Sequence, residues 1–378
     1  MAAPEPEGGR LGELARLFLR LGVTAFGGPA AHAAMMHDEV VRRRRWVSDE
    51  RFVDLVGATN LIPGPNSTEL AIHLGWERAR GQGLLVAGVC FIVPAALIVG
   101  VLAGLYVRYG DTPALEGVLY GIKPVVIAIV IQALVRLVPT VAKTPLLGVL
   151  AAAAVAAYLA GINELAVLAA GGLVAGGWRT LRSRWADRLS VWLPVVALAE
   201  GAAAVELGRL FLVFLRIGAV LYGSGYVLLA FLQGELVDRL GWLTSQQLLD
   251  AVAVGQVTPG PVFTTATFVG YVTGGFWGAV LATVGIFLPS FAFVALLTRL
   301  VDWMRSSATL GSALDGINAT AIGLMAGVSV QLAADAIVDP LTVAIVAVAG
   351  VLLWRTRLNS AWLIAGGAAV GIAEPLLT

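Results

Sequence analysis

The chain has 378 residues, 58% of them hydrophobic and 13% charged, with a net charge of +1 and a mean hydropathy of +0.87. An average soluble chain carries roughly 25% charged residues, so a soluble globular class is excluded. A net charge this close to zero gives no reason to expect a nucleic-acid partner.

The start, MAAPEPEGGRLGELAR, is acidic and rich in Pro and Gly, unlike a cleavable signal. The first helices are therefore expected to direct insertion. Four short helices are expected first, as two hairpins or half-spanning pairs, at about 11–27 with 30–45 and 48–61 with 66–75. Fuller spans follow in the apolar runs Gly83–Val107, Val125–Val135, Pro145–Ala160 and Ala166–Gly177. The stretch WRTLRSRWADR at 178–188 is basic, and the run at 189–207 is expected to cross once as a linker span, although it carries Glu200 and Glu206. Further apolar runs occupy Gly278–Leu297, Ala319–Leu332, Leu341–Leu353 and Ala361–Ile372. With their flanks these runs approach the roughly 20 residues that cross a bilayer, and open backbone cannot face lipid. An all-α integral membrane protein follows. The single cysteine, Cys90, excludes an intramolecular disulfide and any multi-Cys metal site.

An internal repeat organises the rest. Sliding the chain by 196 residues places FLRLGVTAFGGP (18–29) over FLRIGAVLYGSG (214–225), and fifteen of the forty-eight positions from 18 to 65 are identical. The identities include Arg20/Arg216, Glu39/Glu235, Arg43/Arg239, Trp46/Trp242, Asp54/Asp250 and a whole Pro-Gly-Pro. Apolar composition alone does not align charges and tryptophans. One deletion later the offset is 195, pairing Pro94 with Pro289 and YGIKP (120–124) with DGINA (315–319).

Charge separates parallel from inverted copies, because cytoplasmic loops carry an excess of Lys and Arg. VVRRRRW (40–46) is basic where LVDRLGW (236–242) is neutral, and ERAR (77–80) faces VTGG (272–275). Lys143 stands against Asp335 and Asp339, while Asn163 and Glu164 stand against Arg355 and Arg357. Each contrast reverses between copies, which predicts an inverted-topology repeat. The expected organisation is a repeat at 1–178, a basic loop plus linker helix at 179–207, and a repeat at 208–378. About six helices per copy and one linker give about thirteen.

Four Gly/Pro breaks interrupt the apolar pattern, two per copy. In copy one they are FGGPAAH, with Gly27 and Gly28, and PGPNSTEL, with Pro63, Gly64, Pro65, Asn66, Ser67 and Thr68. In copy two they are YGSGYV, with Gly223, Ser224 and Gly225, and PGPVFTTAT, with Pro259, Gly260, Pro261, Thr264, Thr265 and Thr267. Helix starts carry free N–H groups and a positive dipole end, and broken membrane helices use them to hold anions. Proline suits a first helical turn, glycine permits close backbone approach, and the hydroxyls add donors.

FGGP followed by a basic Trp-containing loop, the paired PGP segments and the duplicated FLRxG resemble the chromate transporter family, in its long-chain, two-domain form. The resemblance spans about Leu11 to the carboxyl terminus. It implies export of chromate through the inner, plasma membrane, coupled to the proton gradient, by two homologous halves in opposite orientation with an extra helix between them. Copy two departs locally, with GSG for GGP and Val262 for Asn66, so the half-sites need not contribute equally.

The remaining polar residues keep two readings each. Arg20 and Arg216 contact the oxyanion or form interface salt bridges, and Lys123, whose counterpart is Asn318, complements a dianion or snorkels to an interface. Glu69, replaced by Thr265 in copy two, repels an anion but can carry a coupling proton, or else is structural; His32 and His73 have the same two readings. Asp54 and Asp250 are expected to cap or to pair with Arg43 and Arg239, and Arg42–Arg45 to set topology against anionic lipid.

Neither a nucleotide-binding G-x-x-x-x-G-K-[ST] nor an H-E-x-x-H occurs, and three histidines offer no metal cluster, so neither an enzyme nor a cofactor is expected. The expected partners are chromate or a sulfate-like oxyanion, protons and the bilayer; small residues throughout the apolar runs are compatible with a homo-oligomer. Chromate and sulfate are both tetrahedral dianions, so the donor set alone leaves a sulfate or general oxyanion carrier open. A membrane scaffold is the third reading, and broken helices are an expensive way to build one.

Overall fold

A computed structural model of the chain describes residues 7–26, 28–110, 112–182, 206–222, 225–297, 308–356, 358 and 360–374. Among these residues the fold is helical without strands. The first repeat contains α1 (Glu7–Thr24), α2 (Gly28–His37), α3 (Asp49–Thr59), α4 (Asn66–Tyr109), α5 (Pro113–Val141), α6 (Pro145–Leu159) and α7 (Glu164–Arg182). The second contains α8 (Leu207–Val220), α9 (Leu228–Leu232), α10 (Ser245–Val257), α11 (Thr265–Leu297), α12 (Ala308–Ala336), α13 (Pro340–Arg355) and α14 (Ser360–Ala373). Among the described residues there are fourteen α-helices, seven in each repeat, where about six per copy and one linker were expected. The expected linker crossing at 189–207 lies almost wholly outside the described residues.

Among the described residues four helices are long and apolar enough to cross a membrane, spanning Asn66–Tyr109, Leu115–Pro139, Val262–Leu296 and Thr309–Ala336. Their surfaces agree with that setting. On α4 the residues Leu85, Val89, Val93, Leu97, Val101 and Leu105 are all exposed, four apart, and Val280, Val284, Leu288 and Leu296 repeat the stripe on α11. A helix in water hides such a row; a helix in lipid presents it.

At 44 residues, α4 would run about 66 Å if straight, twice the thickness of a bilayer core. It does not run straight. Ala79 and Arg80 leave helical geometry and fold 66–78 back against 81–109, while Gly274 and Gly275 do the same in α11. The Pro-Gly-Pro segments therefore sit at the tips of re-entrant hairpins, α3 with 66–78 and α10 with 265–273. Two helices stand where the pair was expected at 48–61 with 66–75, α3 and the first arm of α4.

The kinks carry a conformational cost on one side only. Arg45 (φ 54°) and Arg80 (φ 50°) are the only positive-φ residues other than glycine among the described residues, and their equivalents are Gly241 (φ 62°) and Gly275 (φ 63°). An arginine there costs about 1–3 kcal/mol that glycine avoids. Copy one retains positive charge against that cost.

The repeats interlock. The long helix α5 packs on α13 and α14 of the other repeat, and α12 packs on α6 and α7. At these contacts glycine backbones meet: Gly117 and Gly121 lie on Gly371 and Gly367, and Gly316 lies on Gly171. Small residues let helix axes approach where lipid supplies no hydrophobic drive. Between α4 and α11, Leu84 clusters with Val294, and one turn further along α4 the Phe291 ring covers Gly88. As one chain advances the other recedes, so these equivalent helices are antiparallel.

Candidate functional site

The two Pro-Gly-Pro tips meet the other repeat at the ends of its first helix. The Gly64 amide donates to the Leu221 carbonyl at 2.8 Å, and the Gly260 amide donates to the Ala25 carbonyl at 2.8 Å. Both glycines have positive φ, 138° and 88°. A Cβ on Gly260 would meet that of Ala95 at 2.6 Å; one on Gly64 would meet the Ser290 hydroxyl at 2.7 Å and the Glu69 carboxylate. Only glycine fits either tip. Since Ala95 and Ser290 are themselves equivalent, the two crossings are copies of each other in backbone and differ in side chains.

The side chains at the Gly64 crossing are polar. Glu69 is fully buried one turn into α4, beside Gly64, and accepts a long hydrogen bond from Ser290 at 3.4 Å on Oε1. Its Oε2, Thr68 Oγ1 and His73 Nε2 are buried without a hydrogen-bond partner among the described residues. Tyr222, the first residue of the YGSGYV break, donates to the Leu61 carbonyl at 3.2 Å. A carboxylate at the start of α4 occupies the place where the helix dipole would favour an anion. At the Gly260 crossing the polar group is His32, whose Nε2 meets the Ala25 carbonyl at 3.0 Å while its ring stands edge-on to Phe91. No carboxylate stands at the second tip, where Thr264 and Thr265 turn their hydroxyls to the carbonyls of Pro261 and Val262 at 2.8 Å.

The free amides differ from expectation. Those of Gly64 and Gly260 are used as ties between repeats, and those of Thr68, Glu69 and Thr264 bond back to Pro65 and Pro261. The first α4 amides, at Asn66 and Ser67, are the ones helix geometry leaves without an intrahelical acceptor. Asn66 also reaches Asn60 through its side chain at 2.8 Å. Gly225 faces Val262 and Phe263, so two of the four breaks are direct neighbours. Gly27, Gly223 and Ser224 lie outside the described residues.

The chromate transporter family model matches residues 12–176 and again 208–372. The chain belongs to the chromate transporter family. Within that family it is 33% identical over 378 residues to a chromate transport protein of Cupriavidus metallidurans, covering 97% of this chain and 94% of the relative. A chromate transport protein of Pseudomonas aeruginosa is 35% identical over 335 residues, 84% of this chain and 79% of the relative. An uncharacterized transporter of Methanocaldococcus jannaschii is 26% identical over 333 residues. No solved structure matches.

In this chromate transporter family member the cationic candidates stand apart from the tips. Arg20 binds Glu39, which also holds Arg43 and Arg44. Arg216 shares a small crevice with Glu164 and Glu235, the equivalent of Glu39. The salt-bridge reading of Arg20 fits, because a buried glutamate in a π-helical turn gathers the nearby guanidinium groups. Arg239 pairs with Glu235 rather than Asp250. Asp250 instead binds Lys123 at 3.1 Å and receives the Tyr106 hydroxyl at 2.9 Å, because α10 of one repeat lies on α4 and α5 of the other. Sequence reasoning missed Tyr222, Ser290 and Tyr106. The first two open a break or follow an aligned proline, which could have marked them; nothing local marks Tyr106.

Proposed function

We propose that the chain exports chromate across the inner, plasma membrane by alternating access, driven by the proton gradient, with the oxyanion held at the broken-helix starts. The reciprocal crossing of the two Pro-Gly-Pro tips carries this reading. Two equivalent hairpins, each tied to the other repeat's first helix, can exchange roles when one repeat rocks against the other. Relatives named as chromate transport proteins supply the substrate. The antiparallel α4 and α11 and the arginines kept at positive φ support opposite orientation of the repeats at 1–178 and 208–378, with the 179–207 segment crossing between them and the Arg42–Arg45 loop inside.

In this reading the first α4 amides, with Ser67 and Thr68, and the second tip, with Thr264, Thr265 and Thr267, cradle the anion. Glu69 is the proton carrier, since it is buried with one oxygen unpartnered and faces the same crossing. His32 and His73 are the secondary proton groups. Sulfate shares the charge and shape of chromate, and a general oxyanion carrier is the alternative.

Everted vesicles containing the protein are expected to accumulate labelled chromate when energised, with sulfate competing weakly. Uptake equal to that of empty vesicles would overturn export; strong sulfate competition would favour the alternative. Replacing either Pro-Gly-Pro by Ala-Ala-Ala should lower flux while leaving insertion intact, and unchanged flux would make the breaks architectural.

A further inference from the structure

Away from the tips, a cavity of about 490 Å³ opens where α4 and α5 of the first repeat meet α10 and α12 of the second. Its size falls within the roughly 300–1,000 Å³ of ligand sites. Lys123 is its one cationic residue among the described lining, with Nζ 3.1 Å from Asp250 and 2.6 Å from Gln246 Oε1. Three further donors converge on it. Tyr106 donates to Asp250 at 2.9 Å, Tyr120 to Asp339 at 2.6 Å, and Gln246 Nε2 to the Asp335 carbonyl at 2.9 Å. Each of these four donors is thus engaged by an acceptor of the chain itself. Asp250, with only 5% of its side chain exposed, occupies the position an anion would take against Lys123 and Tyr106.

The other charges facing this space are acidic. Glu116 at the start of α5 and Asp335 at the end of α12 line the mouth, so an oxyanion held by Lys123 would be repelled by its surroundings. That arrangement suits release more than capture. It is also one-sided: the equivalents of Lys123 and Asp250 in the other repeat positions are Asn318 and Asp54, which cannot form the same pair.

We propose that this cavity is an outer-side subsite for a tetrahedral oxyanion, in which Lys123 holds the anion and the Asp250 carboxylate is the built-in competitor that displaces it. The outward placement rests on the transport reading above, through the topology that puts the 238–241 loop and Asp335 outside. The occupancy of Lys123 by Asp250 does not. The two anions exclude each other because one ammonium cannot satisfy both at contact distance, and the Asp250 carboxylate returns as the oxyanion leaves. An exporter gains a weak outer site from such a pair, and the absence of the pair on the inner side gives the step a direction.

The test measures binding of sulfate and chromate to purified protein by thermal stabilisation. Asp250→Asn should tighten binding about tenfold, the scale of one charge-assisted hydrogen bond. Lys123→Gln/Asp250→Asn leaves no unpaired charge to unfold the protein and should bind more weakly than Asp250→Asn alone. In a Cys90→Ala background, Gln246→Cys should react with a membrane-impermeant maleimide from the outer face, and sulfate should slow the reaction. If Asp250→Asn binds no more tightly than wild type, or the double variant binds equally well, the subsite is refuted even where vesicles transport chromate. If vesicles transport nothing and Asp250→Asn still binds more tightly, the transport reading falls and the subsite stands.

Discussion

Gly64 and Gly260 hold equivalent places in the two repeats, and each donates its amide, at 2.8 Å, into the end of the other repeat's first helix. Leu221 and Ala25, the two acceptors, are themselves equivalent. The bonds are therefore one interaction made twice, and each break is stabilised by the repeat it does not belong to. A proline on either side prevents the chain from continuing as helix past the tie.

Either glycine replaced by alanine should destabilise the fold. A Cβ at 64 meets Ser290 and Glu69, one at 260 meets Ala95, and both positions have positive φ. The strain is about 1–3 kcal/mol each. Tryptophan-fluorescence melting in detergent should show lower midpoints for Gly64→Ala and Gly260→Ala, and midpoints matching wild type would show the tips to be pliable.

Arg45 and Arg80 lead to a prediction in the opposite direction. Since their equivalents Gly241 and Gly275 hold the same conformation without a Cβ, Arg80→Gly should raise stability by about 1 kcal/mol. Some of that gain is offset by loss of the Arg80 contact over Trp76, at 5.9 Å. Combined with Arg45→Gly, the same change removes two positive charges from the loops that the proposed topology places inside and should increase the fraction inserted in the opposite orientation. A stable, correctly oriented double variant would separate the arginines from topology.

Much of this was legible in the sequence because duplication converts weak local signals into paired ones. Two Pro-Gly-Pro segments 196 residues apart marked the breaks, and the long apolar runs with few charges marked the helical membrane class. The helix-start amides were legible as a type but not in their use, because ties such as Gly64 to Leu221 join residues far apart in sequence. Asp250 was misassigned to Arg239 for the same reason: an aspartate eleven residues from an arginine suggests a local pair, whereas packing of α10 on α5 offers Lys123 instead.

Glu69→Gln keeps the shape and the Ser290 contact while removing the titratable carboxyl proton. If Glu69 couples transport to the gradient, this variant should exchange chromate for chromate across vesicles at near wild-type rates yet lose accumulation driven by a pH difference. Retained accumulation would assign Glu69 to structure. Thr265→Glu, which places a carboxylate at the second tip, should weaken chromate binding by charge repulsion.

The glycine contacts between α5 and α14 set how closely the repeats pack. Gly121 rests on the backbone of Gly367, and its equivalent Gly316 rests on Gly171. Gly121→Val should force the helices apart at a cost of about 1–3 kcal/mol, and Gly316→Val should do the same. Protease resistance of the purified protein should fall in both variants, and a variant as resistant as wild type would mean the helices slide past each other freely.

Topology can be tested directly on the equivalent π-helical turns, Asp38–Arg43 and Gln233–Arg239. Both end in loops whose backbones match, yet only the first carries the run Arg42–Arg45. Cytoplasmic loops retain such charge, so single cysteines placed at 44 and at 240 in a Cys90→Ala background should react with an impermeant reagent from opposite faces. Cells should label position 240 and everted vesicles position 44. Labelling of both from one face would make the repeats parallel, and the antiparallel α4 and α11 would then have to lie along the membrane rather than across it.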